Sequence, residues 1–164
     1  MYRSSFLKSY NHTVHIGAVK ILMDNKYLDL FDPYLFQSNR SRYIDLTADV
    51  FCRLYNYYDA FAKKVSKNVS DTLVTKIILG VYGCMPAYDR YFKKGIASVG
   101  CKQNIIVQNI KSVLAELVCV ADALDPQITA VLMNVRTTWD RCALFTPMKI
   151  VDMIFWKIGK DLCP

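Results

Sequence analysis

Two histidines, one glutamate and six cysteines are the chain's small stock of the side chains best suited to proton transfer, metal ligation and nucleophilic attack. His12 and His15 stand three apart, so a helix would bring both rings to one face, where they could share a metal or pass a proton. Asp24, Asp29 or Asp32 could complete a ligand set once the chain turns back, but two ligands alone do not make a site. The alternative is a pair of partly exposed histidines near a helix start. Asp89 lies between Tyr88 and Tyr91-Phe92, aromatic side chains that could wall a pocket around a catalytic carboxylate. A carboxylate in the first turn of a helix also simply complements the helix dipole. Asp89 and His15 are therefore the two catalytic candidates.

Other chemistries are excluded by what is missing. The cysteines, at 52, 84, 101, 119, 142 and 163, form no CxxC or similar pair, and Cys52, Cys119 and Cys142 sit in apolar periodic runs, as free core thiols do. No metal site and no cofactor are expected. The sequence holds no P-loop, dinucleotide-binding glycine fingerprint, GxSxG elbow or HExxH. A di-iron carboxylate bundle needs several glutamates, and Glu116 is the one present. Neither histidine follows an arginine at the RxxxxH spacing of some small helical ribonucleases. Three N-x-S/T triplets, at Asn11, Asn39 and Asn68, carry no weight without an export signal.

The formal charge is +7, and it is unevenly placed. Residues 36–111 hold 12 Lys+Arg against 5 Asp, whereas residues 1–35 hold 4 against 3 and residues 112–164 hold 5 against 6. A basic middle third implies an anionic partner such as nucleic acid. Its candidate contacts are Arg90, Lys93 and Lys94, helped by Lys63, Lys64 and Lys67. The segment Ser70–Gly95 could form a helix-turn-helix around Gly83, although Leu79 sits where a small residue is wanted and Asp89 where an apolar one is. The stretch Lys76–Phe92 also resembles the helical core of DNA glycosylases, in which a short loop with proline and aspartate leads into a helix. It covers a small part of the chain, without the glycine-rich hairpin that grips phosphates or an assignable catalytic lysine, and no family membership is drawn from it. Tyrosines 55, 57, 58, 82, 88 and 91 lie near lysines and could stack on bases, or could equally fill a helical core.

These residues must be positioned by helices. Ile44, Ala48, Phe51, Tyr55, Tyr58, Ala62 and Val65 give one long apolar stripe between Ser41 and Lys67, to be packed inside the chain or across a dimer. Ser70-Asp71 caps and charges the start of a second long helix, closed by Gly83. Pro86 suits the first turn of a third, ending before Gly100, with Tyr88, Tyr91, Phe92, Ile96 and Val99 inward and Arg90, Lys93 and Lys94 outward. A broad apolar face runs from Gln103 to Leu124. Asp125-Pro126 opens another helix through Ile128, Val131, Leu132 and Val135, with Thr137 and Thr138 leaving its course to Leu144 open. The last helix runs from Thr146-Pro147 to a stop at Gly159, with Trp156 beside its inner face. Thr13–Met23 forms an N-terminal helix, and Asp32-Pro33 opens a short turn.

The expectation is one all-α domain over residues 1–164, an orthogonal or irregular bundle of six to seven helices. Leu73–Tyr88 and Ile105–Leu124 are interrupted by charges, so no membrane span is expected and the location is taken as cytoplasmic. Three functional readings follow. The first is a non-catalytic binding module for nucleic acid through the basic middle third. The second is a small helical enzyme or ligand-binding protein with a pocket near Tyr88 and Asp89 or near His12 and His15. The third is a protein-interaction or homodimer module that docks the Ile44–Val65 stripe, or the last helix with Phe155 and Trp156, on another chain.

Overall fold

The computed structural model describes residues 6–32, 34–126, 128–130 and 146–163. Among them every regular element is helical: α1 (Ile16–Leu22), α2 (Leu35–Ser38), α3 (Arg40–Lys63), α4 (Asp71–Val81), α5 (Arg90–Ala97), α6 (Ile110–Ala123) and α7 (Pro147–Asp161). Three 3-10 turns, Phe6–Ser9, His12–His15 and Asn25–Phe31, wrap the N-terminal end. Residues 125, 126 and 128–130 are also helical. The expected course through Val131, Leu132, Val135, Thr137, Thr138 and Leu144 lies outside the described residues.

The longest helix, α3, is the central post, packed against α1, α2, α4 and α6. Of its expected stripe, Ala48, Phe51, Tyr58 and Ala62 are buried, while Ile44, Tyr55 and Val65 are half-buried at its edge. Tyr43, Thr47, Val50 and Leu54 are buried too, so the helix is covered over a wider arc than one stripe requires. That arc lies inside the core and is not free to dock on a second chain.

Local capping sets most helix starts. The side chain of Ser70 accepts from the backbone N–H of Leu73 and starts α4 as expected. Asn11 and Asn39, two of the three triplet asparagines, serve as caps: Asn11 accepts from Thr13 and Asn39 from Arg42. Gly83 and Gly100 follow their helices with φ of +66° and +80°. Two starts fall later than the sequence implied. α6 begins at Ile110, not Gln103, because the Asn109 side chain accepts from Ile106 N and donates to Asn104 O, a local turn that competes with the helix. Ile106 is left 49% exposed as a result. α5 begins at Arg90, not near Pro86, because Asp89 caps it and the preceding residues are tied to α4: Thr72 donates to Tyr88 O and Thr75 accepts from Tyr88 N. It ends at Ala97, so Val99, expected inside, is exposed.

Gly159 does not stop the last helix; α7 continues through it to Asp161. What glycine supplies there is room. A Cβ on Gly159 would stand 1.8 Å from the Tyr91 carbonyl oxygen, and one on Gly95 would stand 2.0 Å from that of Phe155. Backbone meets backbone where α5 crosses α7, and both helices can lie this close only because neither has a side chain at the crossing. Phe92, Ile96 and Phe155 seal the sides of the crossing, with the Phe92 and Phe155 rings 6.2 Å apart and edge to face.

Gly80 offers the control. It lies in the last turn of α4 with nothing within 4 Å of a Cβ placed on it. Gly80→Ala is expected to stabilise the protein by roughly 0.5–1 kcal/mol, the helix-propensity gain alone. Gly159→Ala should lose roughly 1–3 kcal/mol or more despite the same gain, because the helices must part. Chemical denaturation monitored by circular dichroism reads both.

Candidate functional site

Beside the α5–α7 crossing, an open cleft of about 790 Å³ lies between α4, the 82–89 segment and α7. Its polar wall is built from Lys76, Asp89, Lys149, Asp152 and Lys157; Leu79, Met153 and Trp156 give the apolar part. The 82–89 segment is fixed from three sides. Tyr43 OH donates to Cys84 O, the α4 threonines hold Tyr88, and Asp152 Oδ1 accepts the Ala87 N–H at 2.9 Å.

Asp152 is the unusual member. It is 8% exposed, and burial raises its carboxyl above the usual aspartate range, the Ala87 N–H and Lys149 partly opposing that shift and the nearby Asp89 adding to it. Lys149 Nζ stands 3.4 Å from Oδ2. Asp89 acts structurally, because its Oδ1 accepts from Tyr91 N and Phe92 N, each at 3.1 Å, while Oδ2 lies 3.3 Å from Lys76 Nζ. It is the residue before α5 and not part of its first turn, and the adjacent Tyr88 faces the core, fully buried, instead of walling the cleft.

The basic residues named from the sequence divide sharply. Lys93 is taken by Asp71, at 2.7 Å and with a side chain only 26% exposed. Lys94 donates to the Leu162 carbonyl at the end of α7, and Lys63 pairs with Asp59 one turn earlier. Lys64 lies over the Phe61 ring, Lys67 is exposed in the loop after α3, and none of these three α3-end lysines lines the cleft. Arg90 remains exposed, its guanidinium 4.8 Å from the centre of the Tyr91 ring. Tyr91 meets Trp156 edge to face at 5.4 Å, and Lys160 Nζ sits 5.2 Å from the Trp156 centroid. Arg90, Tyr91, Trp156 and Lys160 thus form one row across both helices.

The sequence pointed to Arg90 and, separately, to Trp156 on the last helix, but it joined neither to the other and left Lys160 unnamed. Lys149, Lys157 and Lys160 belong to a C-terminal third whose charge nearly balances, and the glycine crossing is what joins Lys160, through Trp156 and Tyr91, to the Arg90 side. A signal was present in Trp156 and Lys160 at i, i+4, but nothing in the sequence paired them with Tyr91 and Arg90. Counting α4, the 82–89 segment, α5 and α7, seven cations face four aspartates, a local excess of three.

The other candidates do not converge. α4 and α5 are separated by eight residues, not the three or four of a helix-turn-helix, so that motif is absent. His12 is exposed, and His15 Nδ1 is 2.8 Å from Tyr58 OH in a T-shaped ring pair. Among the described residues no three His, Cys, Asp or Glu side chains gather as metal ligands. Burial pushes the Cys84 thiol up to about 12, far from a reactive thiolate. No helix among the described residues is long and apolar enough to cross a membrane. No protein-family model, curated protein or solved structure matches the chain.

The wall of the cleft can be tested through Asp152. Asp152→Ala leaves the Ala87 N–H without its acceptor and should cost about 1–3 kcal/mol, whereas Asp152→Asn keeps an acceptor oxygen and should cost far less. Because the folded carboxyl titrates above its unfolded value of 3.8, its contribution is complete at acid pH and lost as pH rises through the raised value. The Asn variant does not titrate, so its stability relative to the parent should improve from about pH 4 towards neutrality. Urea denaturation at several pH values checks both the Ala–Asn difference and this sign.

Proposed function

We propose that the protein is a non-catalytic, cytoplasmic binding module that holds a flexible anionic partner, single-stranded nucleic acid, along the α5–α7 row and the mouth of the adjoining cleft. The observation that carries this reading is the alternation of Arg90, Tyr91, Trp156 and Lys160 across two helices locked together by glycine. The Arg90 guanidinium spends one N–H on the Tyr91 hydroxyl at 3.1 Å and has others left for phosphate, and the half-buried Tyr91 and Trp156 rings can stack on bases. Lys157 and Lys149 extend the positive surface into the cleft, where Asp161 and Asp152 moderate it. Many of the other described cations, Lys26, Arg40, Arg42, Arg53, Lys102 and Lys111 among them, are paired with carboxylates, whereas Arg90 and Lys160 are not. The described cysteines are all unpaired, as suits a reducing compartment.

Contacts of this kind set affinity and leave sequence preference weak. Fluorescence anisotropy of short labelled single strands is expected to show binding that weakens steeply with salt. Replacing Arg90 and Lys160 together with alanine should shallow the slope of log K against log salt by about 1.4, two phosphates at about 0.7 each. Trp156→Ala should weaken binding with little change in that slope, costing about 1–3 kcal/mol if one base stacks there. No binding at low salt would refute the reading.

The burial of Asp152 in the cleft supports a second reading, a small-ligand or enzymatic site in which Asp152 holds an amino group and Lys149 or Lys157 an anion. Thermal shift with nucleotides and amino sugars addresses it: stabilisation lost in Asp152→Asn would favour a ligand held by that carboxylate.

A further inference from the structure

A second surface, built by α1 and the 3-10 turn after it, has no role in the proposal above. Ile16 and Val19 on α1 and Met23, the residue that ends it, are 54%, 48% and 75% exposed. Leu28 and Phe31 continue the apolar surface at 59% and 56%, and Val81 joins it from α4 at 41%. An amphipathic helix normally turns such a stripe inward; α1 instead buries Ala18 and half-buries Ile21 and Leu22, leaving a second apolar face outside. Six large apolar side chains exposed together on one face exceed the singly scattered hydrophobics normal on a monomer and mark an interaction surface.

We infer that this face joins two copies of the chain in a symmetric dimer. Shape is the first reason for a second copy. The surface holds a hollow of about 460 Å³ lined by Val19, Leu22, Leu28, Phe31 and Val81, and Met23, the most exposed of the large apolar side chains, stands among them. Met23 lines this hollow with Asp24 and Asn25, and a two-fold axis beside it can bring the flexible methionine of each copy against the hollow of the other. Charge is the second reason. The chain carries +7, which opposes self-association over most of its surface. Around this face, Asp24 pairs with Arg53, Asp29 with Arg42 and Lys26 with Asp49, and Lys20 and Asp32 balance one another in formal charge. Two copies can approach here without net repulsion. The surface draws on neither α5 nor α7, so dimerisation leaves the row of Arg90, Tyr91, Trp156 and Lys160 facing outward.

Light scattering on the full chain after size exclusion, through the micromolar range and at high salt, is the test. The expected result is the mass of a dimer that persists at high salt. Met23→Glu should raise the dissociation constant by more than about tenfold with unchanged helical circular dichroism. Met153→Glu, an exposed methionine on α7, should leave the dimer intact. Should Met23→Glu lose helicity, Leu28→Glu reports in its place. A monomer throughout the range, an open-ended oligomer, or a dimer indifferent to Met23→Glu and Leu28→Glu would each overturn the inference.

Discussion

The aromatic and basic row of Arg90, Tyr91, Trp156 and Lys160 depends on the contact between two backbones where α5 crosses α7. Gly95 and Gly159 each face the other helix's carbonyl at a separation that no Cβ could share. The contact draws Tyr91 onto Trp156 and brings Lys94 to the Leu162 carbonyl just after α7. Were the helices to separate by the width of a methyl group, the Tyr91–Trp156 contact that links Arg90 to Lys160 would be stretched. The close crossing is thus at once a packing device and the means by which residues some 60–70 positions apart in the chain become neighbours.

A second layer of restraint keeps the cleft's third wall in place. The 82–89 segment has no helix of its own, and its backbone groups are satisfied by side chains from its neighbours: Thr72 and Thr75 from α4, Tyr43 from α3 and Asp152 from α7. An irregular segment tied in this way can be nearly as rigid as a helix, because each buried donor and acceptor that finds a partner removes a reason to move. Asp89, which sequence alone offers as a catalytic acid, is part of this scaffolding, since it caps α5 and is steadied by Lys76.

How much of this could be read from the amino acids follows from the range of the forces involved. Capping and glycine turns are local, so Ser70, Pro147, Gly83 and Gly100 announced their roles, and the apolar spacing of α3 and α6 made an all-α bundle legible. Competition between local structures was harder: Asn109 and Asp89 delayed two helix starts because their side chains took up backbone groups that periodicity assigned to the helix. Gly159 was misread for a related reason. A glycine near a helix end has two uses, a left-handed stop or a place for another backbone, and only the presence of Gly95 across the crossing distinguishes them. The same long-range pairing decided the basic surface. Lys93 is neutralised by Asp71 and Lys63 by Asp59, while Lys160 and Trp156 gained neighbours that no sequence window contains.

The crossing is tested most directly by a double-mutant cycle on stability with Gly95→Ala, Gly159→Ala and the pair together. If the two glycines serve one shared contact, the first alanine already forces the helices apart and the second adds little, so the pair should fall short of the sum of the singles by more than about 1 kcal/mol. Costs that simply add, or single variants as stable as the parent, would contradict a close crossing and with it the surface that depends on it.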